Sequence, residues 1–142
     1  LKIPLTLAII GGMNIKVGNS TYTIPTISIR ESFRPGENDV FNDTEGNEMI
    51  MIRGQCYRII RLHQYFKVHT EITRIHEGIL VMVETDTGAV CIFADELLGE
   101  QQVVVKALPR YIKKVKGLAG CTLLGNGSIS LILDVAQLAD NY

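Results

Sequence analysis

The chain has 142 residues, 46% of them hydrophobic and 20% charged, with a formal net charge of −1. That size suits one compact domain or two very small ones, able to bury about two thirds of the unfolded surface without a metal or a disulfide. The near-neutral balance gives no global attraction to a nucleic-acid backbone or an anionic membrane, and no apolar run approaches a membrane span or a secretory signal.

In chain order, the first residue is Leu1 rather than Met, as expected of a piece of a longer protein. Residues 2–10 read as an apolar strand that begins abruptly, as if entering from an earlier domain. Met13, Ile15 and Val17 alternate with Asn14 and Lys16, Gly18-Asn19-Ser20 turns the chain, and Tyr22 and Ile24 alternate with Thr21 and Thr23. This is the period of a strand, which Pro25 ends or places at a sheet edge. Residues 27–33 are expected as a short helix closed by Arg34-Pro35-Gly36, and the acidic stretch 37–47 as a surface loop. Met49, Ile50, Met51 and Ile52 carry large apolar side chains on both faces. Gly54-Gln55 is expected to supply a two-residue type II′ turn into the next strand, 56–61, followed by a short helix at 62–66. The polar connector 67–77 is the expected boundary between halves.

In the second half, residues 79–85 and 89–93 flank Asp86-Thr87-Gly88 as another hairpin. Asp95-Glu96-Leu97-Leu98-Gly99 reads as a capped helical turn with a glycine stop. Residues 101–107 read as a strand, Pro109 as a break and 110–116 as a basic stretch. Asn126-Gly127, between two apolar runs, suits a type I′ hairpin, because both central residues of that turn take φ > 0. Ile129, Leu131 and Leu133 then alternate with Ser128, Ser130 and Ile132, which gives one buried face. Asp134 offers a side-chain cap to a terminal helix at 135–139. Hairpin, short helix, hairpin, short helix thus occurs twice, with a period of roughly seventy residues. Two small β-barrels related by internal pseudo-symmetry follow, since closure removes exposed strand edges. Pairing of the halves is expected to cover the second apolar face of 49–52 and of 103–105.

The search for chemistry yields little. Cys56, Cys91 and Cys121 are widely separated within apolar runs and read as small buried hydrophobes. His63, His69 and His76 fall in one region, but their spacings share no helical face and no acidic cluster completes a metal site. Gly11-Gly12 and Gly117-x-x-Gly120 lack the register of a phosphate-binding loop. Asp95 and Glu96 suit a helix N-terminus, and Lys113, Lys114 and Lys116 a solvated face. No active site emerges.

Four motifs nevertheless carry a resemblance. Leu-Thr-Leu-Ala-Ile-Ile-Gly-Gly-Met at Leu5 to Met13 looks like the junction between the ATPase and regulatory domains of the chemotaxis histidine kinases of the CheA family. Asp-Glu-Leu-Leu-Gly-Glu-Gln-Gln-Val-Val-Val-Lys from Asp95 to Lys106 resembles a signature of that regulatory, CheW-like domain. The run from Gly120 to Gly127, with Leu131 to Val135, is similar to its closing motif, and Ile52-Arg53-Gly54 to the arginine-glycine turn of its first half.

The resemblance implies an all-β fold with a few short helices, a pair of intertwined five-stranded SH3-like β-barrels. Residues 1–10 would end the preceding ATPase domain. Residues 11–142 would form the CheW-like domain, its first barrel mainly 11–66 and its second mainly 79–133, with strand exchange and a helix at 134–141. It implies docking to the adaptor CheW, to the cytoplasmic tips of methyl-accepting chemoreceptors and to the kinase domains of its own chain. Nucleic acid and direct membrane insertion are not expected. The fragment would hold no cofactor or metal, with ATP and Mg belonging to the parent kinase domain. Its place would be the cytoplasm, at membrane-associated receptor arrays. A free-standing CheW-type adaptor, or a CheW-like domain of another signalling protein, is the alternative. On the resemblance, the first barrel makes the main CheW contact. Met13, Asn14 and Ile15 on its opening strand are the candidates, with Arg53 and Gly54 at a turn nearby; Met13 and Ile15 equally suit a core position.

Overall fold

Five consecutive side chains, Ile79, Leu80, Val81, Met82 and Val83, are all buried. A strand with one covered face hides only every second residue, so this strand must be packed on both sides. A computed structural model, which describes residues 8–86, 88–108, 115–125 and 127–141, shows how. Its strands are β1 (Ala8–Val17), β2 (Ser20–Pro25), β3 (Ile29–Phe33), β4 (Val40–Asn42), β5 (Glu48–Ile52), β6 (Gln55–Arg61), β7 (Ile79–Thr85), β8 (Gly88–Ala94), β9 (Glu96–Val105), β10 (Leu118–Leu123) and β11 (Ile129–Leu133). Two short helices follow β6 and β11: α1 (Leu62–Tyr65) and α2 (Val135–Asn141). Residues 2–7 of the expected opening strand, Thr87, Pro109, residues 110–114 of the basic stretch and Asn126 lie outside the described residues.

The strands form two sheets, β10-β11-β2-β1-β9 and β3-β7-β8-β6-β5-β4. The expected all-β architecture therefore holds, with a sixth, three-residue strand added to the second sheet. The first sheet closes on itself beyond Val105, where Lys106 and Cys121 exchange backbone hydrogen bonds of 2.8 and 2.9 Å. The sheets do not divide the chain near 66 and 79, as the expected barrel limits do. The first takes β1–β2 from the first half and β9–β11 from the second; the other takes β3–β6 and β7–β8. The same plan governs both. In each sheet two hairpins meet through a parallel pair of their second strands, β2 with β11 and β6 with β8, and a fifth strand flanks β1 or β7.

This exchange explains the two-sided burial. Ile79, Val81 and Val83 of β7, with Ile92 and Ala94 of β8 and Ile60 of β6, join Ile15, Val17, Tyr22 and Ile24 of the other sheet in one core between the sheets. The alternate residues Leu80, Met82, Cys91, Phe93 and Ile59 turn to a second core with Ile50 and Ile75. The other face of the first sheet lines a narrow barrel interior. Asn14, Thr23 and Ser130 meet there: the Thr23 hydroxyl donates to Asn14 Oδ1 at 2.7 Å and lies 2.7 Å from Ser130 Oγ. Glycine is required where the strands approach, since a Cβ at Gly12 would stand 2.4 Å from Thr23 Cγ2 and one at Gly120 2.8 Å from the Lys106 carbonyl oxygen.

Several local expectations change. Residues 29–33 are a strand and not a helix, because Ile29, Glu31 and Phe33 alternate in burial with Arg30 and Ser32 and pair with β7. Residues 96–99 open the ten-residue strand β9 rather than a helical turn, held by backbone pairing to β1. The loop 37–47 contains β4. At the last hairpin Leu124 N–H donates to the Ser128 carbonyl at 2.8 Å and Gly127 N–H to the Leu124 carbonyl at 3.0 Å; the expected Asn126-Gly127 turn rests on Asn126, outside the described residues. In β11 it is Ser130 and Ile132 that face the barrel interior, whereas Ile129 is exposed. The second face of 49–52 is only partly covered, with Met51 exposed, while Val103 is buried. The Asp134 cap stands as expected, its Oδ1 accepting from Gln137 N–H at 3.1 Å.

Because each core is built from both halves, truncation in the core between the sheets weakens both. Ile60→Ala is expected to lower stability by about 2–5 kcal/mol in urea unfolding. Slow amides of β1 and β7 should lose hydrogen-exchange protection together; loss confined to one sheet would contradict the shared core. Thr23→Val, which strips Asn14 and Ser130 of their partner, is expected to cost about 1–3 kcal/mol in the same measurement.

Candidate protein-docking surface

A strand hairpin whose outer face carries apolar residues leaves them in water unless something covers them. The structure has two such hairpins in equivalent places. In the first, β5 and β6 are joined by Arg53-Gly54, with φ of 49° and 82°, between the paired residues Ile52 and Gln55. Both central residues are left-handed, so the turn is of the I′ type and sits one residue earlier than the expected Gly54-Gln55 turn. Ile50, Ile52 and Tyr57 point into the core, which sends Phe41, Met49, Met51 and Cys56 to the outer face. Phe41 is 40% and Met51 44% exposed, and the Cys56 thiol lies 3.8 Å from Met51 Sδ. Arg53, at the end of this strip, reaches Glu31 of β3 at 2.5 Å. The hydrogen bond and charge of Glu31 raise the already high pKa of the guanidinium.

The second hairpin is β10–β11. Its outer face presents Leu123 opposite Ile129 and Cys121 opposite Leu131. Leu123 is 58% and Ile129 63% exposed. Beside it the barrel seam opens past the Lys106–Cys121 bridge, leaving a groove of about 350 Å³ lined by Gln102, Val103, Val104, Lys106, Thr122 and Leu123. Since β10–β11 occupies in its sheet the place of β5–β6 in the other, each barrel shows an apolar hairpin tip with polar residues around it.

The sequence-derived candidates divide. Asn14 is buried in the barrel interior and Ile15 fully buried in the core between the sheets, so neither can touch a partner directly. Met13 is half-buried and packs on that core. Arg53 and Gly54 are exposed, but they stand at a turn of the other sheet and are not joined to Met13 by strand pairing. Leu123 and Ile129 were missed because alternation in β11 assigned Ile129 to the buried face. The small polar residues Thr122 and Ser130, which suit a narrow interior, were the available signal.

Other polar groups fasten the structure. Arg61 grips Glu48 with two bonds of 2.7 and 2.9 Å, donates to the Thr73 carbonyl at 2.6 Å and lies over the Phe93 ring. An open cleft of about 530 Å³ beside it is lined by Asn42, Asn47, Gln64 and His63 among others. Burial and then the Arg61 charge depress the His63 pKa. Among the described residues, no three histidine, cysteine or acidic side chains gather as a metal set. Asp95 Oδ2 accepts from Gly18 N–H at 2.8 Å and from the Thr70 hydroxyl at 2.6 Å, tying the β1–β2 turn to the connector. Cys91 is buried as expected, but Cys56 is exposed because it follows the turn on the outer face.

Comparison with known proteins places this geometry. Residues 11–142 match the CheW-like domain family. The chain is 35% identical over 138 residues to chemotaxis protein CheA of Klebsiella aerogenes, covering 97% of this chain and 21% of that protein. It is 37% identical over 142 residues to CheA of Treponema pallidum, spanning 17% of that protein, and 33% identical over 140 residues to sensor histidine kinase CheAY of Helicobacter pylori, again 17% of its length. The chain thus spans about a fifth of these relatives. The fold superposes on the scaffolding protein TtCheW of Thermoanaerobacter tengcongensis with a TM-score of 0.72 at 13% identity, covering 89% of this chain and 90% of that one. Among the described residues, no helix is long and apolar enough to cross a membrane.

The thiols offer a check on this surface. Burial, with the Glu31 carboxylate adding to it, pushes the Cys91 thiol from 9.0 up to about 12. The folded state therefore keeps a proton that the unfolded chain releases. Its contribution is complete below the unfolded value, erodes as pH rises above it and is lost through the folded one. At about pH 9.5 iodoacetamide is expected to label Cys56 and leave Cys91 unmodified until the chain unfolds. Equal labelling of both in the folded protein would contradict the placement.

Proposed function

Since this chain belongs to the CheW-like domain family, we propose that it is the docking module of a chemotaxis histidine kinase of the CheA type, binding the adaptor CheW and chemoreceptor tips. The observation that carries the reading is the pair of exposed apolar hairpin tips, Leu123 with Ile129 and Met51 with Phe41, set equivalently on the two barrels. A partner barrel with a complementary apolar patch would desolvate such a tip, while polar residues such as Arg53, Glu31 and Lys106 form the rim. Met13, half-buried beside these cores, serves as support and not as contact, whereas Arg53 and Gly54 remain contact candidates.

In this role the module performs no reaction and holds no cofactor. Binding of ATP and Mg and autophosphorylation would fall to other parts of a CheA-length protein, with which this domain shares a chain and against which it is positioned. Receptor state would reach the kinase through the geometry in which the barrels hold their neighbours, in the cytoplasm beneath receptor arrays. Identity at the level of 35% over 97% of the chain favours the kinase setting. A free-standing adaptor is the second reading, favoured by the fold's 90% coverage of a CheW scaffold chain.

Leu123→Asp with Ile129→Asp, and separately Met51→Asp, place charge where it is already exposed and should leave the fold intact by circular dichroism. At least one variant is expected to weaken binding of purified CheW about tenfold or more by calorimetry. Wild-type affinity in both would reject these tips as the docking faces.

A further inference from the structure

Neither half of this chain builds a sheet like those observed by itself. The pairings of β1 with β9, β2 with β11, β3 with β7 and β6 with β8 all join the first half to the second. Separated, each half leaves those edges unpaired and the core between the sheets open. What directs a first half to its own second half is the covalent connector between Tyr65 and Ile79. A second copy of the chain offers chemically identical edges, so the choice between them is one of effective concentration, on the order of millimolar for a short linker.

The connector carries a pivot under strain. Lys67, directly after α1, is held at φ 56°, one of two non-glycine residues among those described with positive φ. It makes a left-handed helix stop, with Val68 N–H donating to the His63 carbonyl at 2.9 Å, a position usually given to glycine. The other such residue, Arg53, is inside a hairpin, where both flanking strands demand the conformation. Lys67 has no such pairing around it, and returning it to the extended region relieves the strain and redirects the chain. Downstream, Glu71, Thr73 and Arg74 are exposed, and the connector extended would reach roughly 40 Å at about 3.3 Å per residue.

We propose that the chain forms a reciprocally exchanged homodimer, in which the first half of each copy completes both barrels with the second half of the other, Lys67 acting as the hinge. Every strand pairing is preserved in the exchanged form; the extended connector gives up the packing of Ile72 and Ile75 and the hydrogen bonds at Thr70 and Thr73. The partner is a second copy of this chain. The surface it uses is the set of inter-half strand edges, distinct from the hairpin tips offered to other barrels.

The test uses Lys16 and Glu96, exposed residues paired across β1 and β9 on opposite halves. One chain carries Lys16→Cys and another Glu96→Cys, both with Cys56→Ser and Cys121→Ser. The two are unfolded together, refolded at about millimolar concentration and oxidised. An exchanged dimer becomes covalently linked through the new cysteines and runs as a dimer on a non-reducing gel. The same refolding of the unmutated chain, followed by size exclusion, shows whether a dimer forms without the substitutions. Lys67→Gly should lower the dimer fraction and Lys67→Pro, which cannot take positive φ, should raise it, each by about fivefold. Absence of any dimer at that concentration overturns the proposal. So does a dimer without the cross-link, which would mean that intact copies associate through surfaces such as Leu123 and Ile129.

Discussion

The structure depends on burying both faces of three adjacent strands. β6, β7 and β8 carry apolar residues at consecutive positions, and each needs a covering layer on either side. One layer is the rest of their own sheet, curled over Leu80, Met82, Phe93 and Ile59. The other is a separate sheet presenting Ile15, Val17, Tyr22 and Ile24. A single small barrel supplies the first only. The exchange of strands between halves supplies the second and prevents the barrels from folding as independent units.

From that constraint comes a division of labour. The residues that fix the two sheets against each other are spent on the inside, and the narrow barrel interior of the first sheet takes Asn14, Thr23 and Ser130 beside Ile132, with glycine at Gly12 where the strands approach. The exposed apolar residues include those at the hairpin tips, Leu123 with Ile129 and Met51 with Phe41. Among the described residues, no strand covers them. Their equivalence follows from the repeated plan of the two sheets.

The polar fasteners answer a different need. Arg61 with Glu48 and Thr73, and Asp95 with Gly18 and Thr70, both tie the connector region to the barrels. They order a segment whose own apolar content is small. The acidic pair Asp95-Glu96, read in isolation as a helix N-terminus, in fact lies at a strand junction, Asp95 between β8 and β9 and Glu96 opening β9, with the carboxylate of Asp95 serving a distant turn.

Periodicity and turn residues made most strands and the repeated order of elements legible, because a half-buried strand writes its period into the sequence directly. The same signal failed at Ile29–Phe33 and at Glu96–Gly99, where short amphipathic runs satisfy either a helical or an extended reading. There, backbone pairing to β7 and to β1 decided the outcome, and such pairing is made with residues far away in the chain. Of the candidate contact residues read from the sequence, Arg53 and Gly54 are the ones the structure leaves exposed, at a hairpin turn. Ile129 was assigned to the buried face because alternation tells which residues share a face and never which face is covered; Asn14 and Ile15 were contact candidates on the resemblance alone, and Ile15 takes the core position that stood as its alternative.

By itself, then, the sequence determined the class of fold, the succession of hairpins, the internal repeat and the family. These depend on local spacing and on motifs carried whole within short segments. Tertiary structure alone decided which hairpin joined which barrel, which face of each strand met water and where apolar tips were left over. Those outcomes are set by contacts between residues dozens of positions apart, whose geometry no local pattern encodes.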